Sequence, residues 1–557
     1  MLGVSSVRRP AVLMSIAIVA VYLALAMAQA GEPFIIDEME FPRLAESVAE
    51  TGRPVYYRGE QSPAHIGVFH PPLYGYTLGG WIAVFGFSPT AIRLFGVLMM
   101  IGTGLVGVRI VTLLGLAGEW GASIFLGLFL LHPFVIQSAL LPDIDGTVLL
   151  LATVVLFHEV IRAAVHHEST MSAARRIGLA IAFALATKLT AVIVVPFVFV
   201  GLLLARGLKW ALAVTGLSFL IGSVAFLFVW GALATLAGLP FLYPFEFTIE
   251  SGLKGGVGDS GISELVRRLI PAGYTVYWLG VLLPAMATLG TAVLIGGWRT
   301  HPQRRVALML SLWSLGTVAF FSFITGPPFG FPKYFIAALP TMAILGVVAV
   351  DAVLERTQAR RFGLPLFIAA GVAVAALSGS QSAAVADAGR YSWPGYLWIL
   401  ALLWFGVLAA AAILRDWTIW LPGVAVLGLF MATVAYGLGM ATAQASEDAS
   451  VRYFPGEVGF EETVDRLRGL VEPEDPILVP KDIGSATYNR YHEQEVLFLE
   501  PDRLARVLDD EELTYAVVRT DWDYSYLVFP AVESIIEEEM DLVETIGDFL
   551  LYKRSDD

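Results

Sequence analysis

Apolar runs of roughly 17 to 25 residues recur along this chain, each as long as the hydrocarbon core of a bilayer is thick. About thirteen are legible, near 11–30, 88–108, 119–138, 146–164, 177–187, 190–205, 210–238, 274–297, 306–325, 333–352, 363–380, 396–414 and 419–443. With 57% hydrophobic and 15% charged residues over 557 positions, the chain has too much apolar surface for a water-soluble enzyme. The expected fold class is a multi-pass α-helical membrane protein. Zero cysteines exclude disulfides, thiolate metal sites and cysteine nucleophiles.

The short runs at 177–187 and 190–205 read either as two spans broken at Lys188 or as one long helix, which would reverse every later loop. Basic residues favour the break. With about 13 spans and the N-terminus inside, Arg8, Arg9, Arg109, Arg162, Arg175, Arg176, Arg206, Lys209, Arg299, Arg304, Arg305, Arg356, Arg360, Arg361 and Arg415 all fall on inner connections. The motif Ala28-Gln29-Ala30 after the first apolar run resembles a signal-peptide cleavage site, but the run is long enough to span, and a retained first helix is expected.

The formal net charge of −14 is unevenly held. Residues 444–557 carry 29 acids against 10 bases, a net −19, and the remainder of the chain is +5. This divides the sequence into a membrane body, 1–443, and a soluble acidic tail, 444–557, on the extracytoplasmic side. Helix-like and strand-like runs alternate in the tail, from Glu461–Leu470 and Ile477–Pro480 to Tyr515–Arg519, Ala531–Met540 and Phe549–Tyr552, which predicts a small α/β domain. Two outer loops stand out in the body: 31–87, with amphipathic patches suited to interfacial helices, and 239–273, a glycine-rich mobile element bearing Glu246, Glu250, Lys254 and Asp259. No repeat, Walker motif or dinucleotide fingerprint is present.

Ionisable groups at a bilayer are expensive, so they are the residues to follow. Sorting them by depth and side leaves a short list on the outer face: Asp37 and Glu38 after the first span, His70, Arg93, Asp143 and Asp145, Lys188, and Lys333-Tyr334 after a Gly/Pro-rich loop. Each has a plainer role open to it. Asp37-Glu38 can begin a solvated loop, Asp143 and Asp145 can cap a helix, Lys188 can snorkel, Arg93 can pair with a loop acid, and His70 can be a packed ring. Their convergence from distant segments on one surface is what points to chemistry. A carboxylate there can act as general base, lysine and arginine can hold a phosphate leaving group, and two carboxylates can hold a hard divalent cation.

In order and spacing, Ile36-Asp37-Glu38, His70-Pro71-Pro72-Leu73-Tyr74, Ala91-Ile92-Arg93-Leu94, Leu141-Pro142-Asp143, Ala186-Thr187-Lys188 and Pro332-Lys333-Tyr334 resemble the GT-C membrane glycosyltransferases. Within these the similarity is to the dolichyl-phosphate-mannose protein mannosyltransferase and aminoarabinose transferase superfamily, and it covers about residues 10–350. The resemblance implies an inverting transferase using a polyprenyl-phosphate-linked (dolichyl-phosphate type) sugar. It gives Asp37 the role of general base, with Glu38 beside it, and makes Asp143, with Asp145, the second acidic position, which in relatives organises the site or a metal. Arg93, Lys188, Lys333 and Tyr334 fall where relatives contact the donor phosphate, while His70 and Tyr74 shape the substrate site. Many relatives have Arg-Tyr where this chain has Lys333-Tyr334, and lysine keeps the charge but loses the bidentate fork.

The expectation is therefore a cell-membrane enzyme with about 13 transmembrane helices of GT-C type, its active site and C-terminal α/β domain extracytoplasmic. Its partners would be the lipid-linked sugar donor, membrane lipid, and an acceptor glycan, lipid or protein; nucleic acid is not among them. A divalent cation (Mg, Mn or Zn) on Asp143 and Asp145 is optional. The main rival is a transporter or lipid-linked-sugar flippase, which predicts charges at the midplane and matched repeats. Here the charges sit at the rim and no repeat is seen. A scaffold that only presents the tail leaves the rim charges unexplained.

Overall fold

Inside lipid a single chain segment must satisfy its own backbone groups, so uniformly apolar runs become helices. The computed structural model describes residues 8–31, 40–54, 70–238, 282–296, 302–319, 332–356, 459–472, 477–479, 513–519 and 529–554, with a few isolated positions between them. Among these, six helical segments are long and apolar enough to cross a membrane, and a bent pair makes up to seven. The expected spans at 363–380 and 396–414, and most of the one at 419–443, lie outside the described residues, as does nearly all of the 239–273 loop.

The helices run α1 (Arg8–Met27), α2 (Glu40–Thr51), α3 (Leu73–Phe85), α4 (Pro89–Leu113), α5 (Gly121–Leu130), α6 (Pro133–Leu140), α7 (Val148–Val165), α8 (Thr170–Thr187), α9 (Val195–Arg206) and α10 (Leu208–Ala237). They continue as α11 (Leu282–Gly296), α12 (Leu308–Ala319) and α13 (Leu339–Arg356), then α14 (Phe460–Leu470) and α15 (Phe529–Glu539). Two compact units result: residues 1–29, 68–74 and 93–445, and residues 30–67, 75–92 and 446–557.

In the first unit the expected single span at 119–138 is broken, with a bend of 66° between Gly118–Leu130 and Pro133–Leu140. Pro133 brings no N–H to continue the helix, and it forces His132 into extended backbone (φ −72°, ψ 128°). His132 Nδ1 then accepts the N–H of Phe134 and starts α6 afresh. The break at Lys188 is also present. Lys188 is extended (φ −156°, ψ 131°), its N–H bonds the carbonyl of Ala184, and a 3-10 helix, Leu189–Val194, leads into α9. α8 starts earlier than the 177 expected, because Ser169 caps it by accepting the N–H of Ser172.

Small residues set how closely these helices approach. A Cβ on Gly178 of α8 would lie 2.9 Å from the carbonyl oxygen of Ser218, and one on Gly222 of α10 would lie 2.8 Å from that of Gly178. The two backbones therefore touch, the usual mode of helix association where lipid removes the hydrophobic drive. Gly290 of α11 lies likewise against the carbonyl of Leu345 on α13.

The second unit holds α2 and α3, joined where Gly79 leaves room for Val48 and Ala45. Burial holds the Tyr76 phenol above its ordinary range, although Arg53 pulls it down, and it donates to the carbonyl of Gly52 at 3.2 Å. The same unit contains a four-stranded sheet in the order β1 (Ile477–Leu478), β2 (Tyr515–Arg519), β4 (Phe549–Arg554), β3 (Met540–Ile546). β1 and β2 are parallel and the other pairs antiparallel. Alternation along the strands builds a core on each face: Ile477, Val517, Phe549 and Leu551 with Val464 and Leu467 of α14, and Leu478, Ala516, Val518 and Tyr552 with Ile536 of α15. The run expected at Ala531–Met540 is α15, and β3 follows it directly from Met540. It is an edge strand whose Asp541 and Glu544 face water, so it lacks the apolar alternation that announces a strand.

Candidate functional site

Arg93 lies in the second turn of α4, and its residue is only 1% exposed. Its Nε–H donates to the carbonyl of Leu140 at 3.1 Å, the last residue of α6, where the helix leaves carbonyls without internal donors. The chain then passes through Leu141-Pro142 into a non-helical turn. Asp143 is buried, one of its oxygens accepts the N–H of Asp145 at 2.7 Å, and Thr147 donates its hydroxyl to the Asp143 carbonyl. Gly146 packs closely here, since a Cβ would displace Ser138 Oγ and press on the Ser138 carbonyl.

That turn aims Asp145 at the break between α8 and α9. Lys188 Nζ donates to both Asp145 oxygens, at 2.7 and 2.9 Å. The two side chains are 12% and 11% exposed, so the pair is largely withdrawn from solvent. Sequence separation gives no hint of this pairing. Asp143, the residue the family motif contains, does not make it.

A cavity of about 130 Å³ opens beside the pair. Asp145, Thr153, Thr190 and Thr317 supply its polar atoms, Phe197 and Trp313 its aromatic wall. Ile336 and Ala337 also line it, and they belong to the 3-10 helix Pro332–Ala338 that carries Lys333 and Tyr334. Trp313 anchors that helix by donating its indole N–H to the carbonyl of Ala337 at 2.9 Å. The segments bearing Asp145, Lys188 and Lys333-Tyr334 thus border one space, although of Lys333 and Tyr334 only the backbone is described. Tyr74 is buried, with its ring edge-on to Phe95, two residues past Arg93. His70 precedes it, half-buried, by the start of α3. Asp37 and Glu38 lie outside the described residues.

Two features escaped sequence reading. Gln29 and Gln137 are buried, and the side-chain N–H of Gln137 donates to the amide oxygen of Gln29 at 3.1 Å. An amide inside each apolar run was the available signal, and in the first run it is the centre of Ala28-Gln29-Ala30. The second is an ionic cluster at the far ends of the same helices. Glu168 forms ion pairs with Arg162 and Arg176 through its side chain and accepts from Arg206 through its carbonyl, and Glu159 meets Arg176 and His158. α7 is 18 residues long, about 27 Å at 1.5 Å per residue, so the Asp145–Lys188 pair and this cluster stand one hydrocarbon thickness apart.

For a divalent cation the donor set is thin. Asp145 is held by Lys188, and no three carboxylate, imidazole or thiolate groups come together among the described residues. Nothing in the chemistry of the site below is routed through a metal.

No protein-family model matches the chain, and no curated protein sequence is similar to it. Solved structures are. ArnT from Cupriavidus metallidurans bound to undecaprenyl phosphate superposes with a TM-score of 0.57 at 17% identity, covering 96% of this chain and 97% of that one. The apo state of the same protein gives 0.58 at 18% identity with the same coverage. The chain has the GT-C fold. This GT-C chain also aligns with the archaeal oligosaccharyltransferase AglB from Archaeoglobus fulgidus, at a TM-score of 0.46 and 13% identity over 98% of this chain and 74% of that one.

Proposed function

We propose that this GT-C chain is a glycosyltransferase that moves a sugar from a polyprenyl-phosphate donor to an acceptor glycan, lipid or protein on the extracytoplasmic side. The observation that carries the reading is the withdrawal of Lys188 from solvent, held by an Asp145 that borders a largely apolar cavity, with Arg93 buried at the same end of the helical body. Buried cations there suit a phosphate whose lipid tail comes from the membrane. ArnT from Cupriavidus metallidurans, similar to this chain in fold, was solved with undecaprenyl phosphate bound, which supports the donor class.

In this reading the acceptor's nucleophilic atom attacks the anomeric carbon from the face opposite the phosphate. The bond between that carbon and the phosphate oxygen breaks with inversion, and the electron pair leaves with polyprenyl phosphate. Asp37 takes the acceptor proton, and Glu38 lies beside it. Lys188, Arg93 and Lys333 stabilise the leaving charge, with Tyr334 among the donor contacts; His70, Tyr74 and Asp143 shape the pocket. The acidic tail, an extracytoplasmic α/β domain in this reading, shapes acceptor access.

The test follows release of free polyprenyl phosphate from polyprenyl-phosphate sugars by purified protein. Asp37→Asn should lose at least ~100-fold in turnover, the usual scale of a lost general base. Equal turnover of wild type and variant, or none with any donor, overturns the assignment. A chelator added to the same assay tests the optional cation: activity lost and then restored by Mg, Mn or Zn shows that one is required.

A further inference from the structure

We propose that Asp145 is an internal counter-anion for Lys188, one that competes with the lipid phosphate and drives release of the product. The inference rests on the reading of Lys188 as a phosphate contact and extends it to the residue that holds Lys188 when no phosphate is bound.

The geometry is that of a place-holder. Both oxygens of Asp145 are spent on one ammonium, at 2.7 and 2.9 Å, in the manner of a two-oxygen phosphate contact. Neither residue lies within an α-helix. Asp145 sits in the turn before α7, and Lys188 sits at the extended break after α8. The pair can therefore separate by changes in side-chain torsion and loop backbone while α7 and α8 keep their hydrogen bonds. A carboxylate that loses Lys188 also has somewhere to go. Three threonines, Thr153, Thr190 and Thr317, line the cavity that Asp145 borders. Thr317 is 4% exposed, and its hydroxyl makes no hydrogen bond among the described residues.

Charge gives the exchange its direction. The donor's phosphodiester carries one negative charge, whereas the product's phosphate monoester carries nearly two at neutral pH. A cluster of buried cations alone would bind product more tightly than donor and become trapped by it. A carboxylate already seated on Lys188 weakens both, and its return as the product leaves replaces the lost anion without stranding a buried ammonium. Asp145 acts through Lys188 and touches no reacting atom, so it is a positioning residue.

The experiment measures undecaprenyl phosphate binding to the full chain in detergent, together with steady-state kinetics, for wild type, Asp145→Asn, Asp145→Glu, Lys188→Ala and the Asp145→Asn/Lys188→Ala double variant. The expected result is about tenfold tighter binding by Asp145→Asn, with KM and kcat both reduced, near-wild-type behaviour for Asp145→Glu, and no gain in the double variant. A merely structural role would weaken binding and raise KM instead. Unchanged or weaker binding in Asp145→Asn, while Lys188→Ala still lowers affinity, overturns this proposal and leaves the donor reading standing. No binding by wild type, or no loss in Lys188→Ala, removes both. Asp145→Ser backs up the asparagine variant, and failure of both to fold makes Asp145 a structural partner and ends the proposal.

Discussion

Charged residues in this protein differ in worth according to what surrounds them. Asp351, at the end of α13, is 3% exposed; one oxygen accepts the N–H of Ala117 at 2.6 Å and the other meets Arg304 at 2.8 Å. That carboxylate holds the left-handed turn of Ala117 (φ 54°), while Arg304 reaches the Gly115 carbonyl. Arg304→Met is expected to destabilise the first unit by roughly 3 kcal/mol, because it removes a cationic partner from a buried carboxylate. Arg466 pairs with Glu544 at 2.9 Å, but both side chains are more than 40% exposed. Arg466→Met should cost less than about 1 kcal/mol. Thermal unfolding of the two variants in one detergent checks the contrast, and equal shifts would contradict it.

At the scale of elements, the close contact of α8 and α10 depends on Gly178 and Gly222, where side chains would meet backbone. Gly178→Leu should push the two helices apart and lower the yield of folded protein. Gly216→Leu, on the same α10 helix but with open space around its Cβ position, should be tolerated. Size-exclusion profiles of the detergent-solubilised variants compare them directly. The helix breaks were legible in sequence to different degrees. The interruption at Lys188 followed from a charge between two short apolar runs. The bend at His132-Pro133 was passed over because 119–138 has the length of a single span, although Pro133 within it brings no N–H. β3 was missed for the opposite reason, since an edge strand exposing Asp541 and Glu544 carries almost no hydrophobic pattern.

Across the whole molecule, the first unit has two polar ends. One carries Arg93, Asp143, Asp145 and Lys188; the other gathers Arg162, Arg176 and Arg206 around Glu168. Three of the basic residues assigned to the inner side by charge bias, Arg162, Arg176 and Arg206, thus meet in space around Glu168. The chain has no cysteine, so single cysteines report sidedness without background. His166→Cys should react with an impermeant maleimide only in opened vesicles, and Glu246→Cys, beyond the far end of α10, in intact cells. The reverse pattern would invert the topology.

Run length and charge are local quantities, so the sequence by itself determined the apolar helical body and the acidity of the tail. Ordered short motifs were enough to suggest the GT-C fold that the structural comparison then showed. What only the tertiary structure decided is who meets whom: Lys188 with Asp145 rather than Asp143, Gln29 with Gln137, and Thr317 beside the cavity that Asp145 borders. These partners are separated by 43, 108 and 172 positions in the chain. No local pattern encodes such pairings, because they follow from where Pro133 bends one helix and Lys188 ends another, and from how closely glycine lets their neighbours pack.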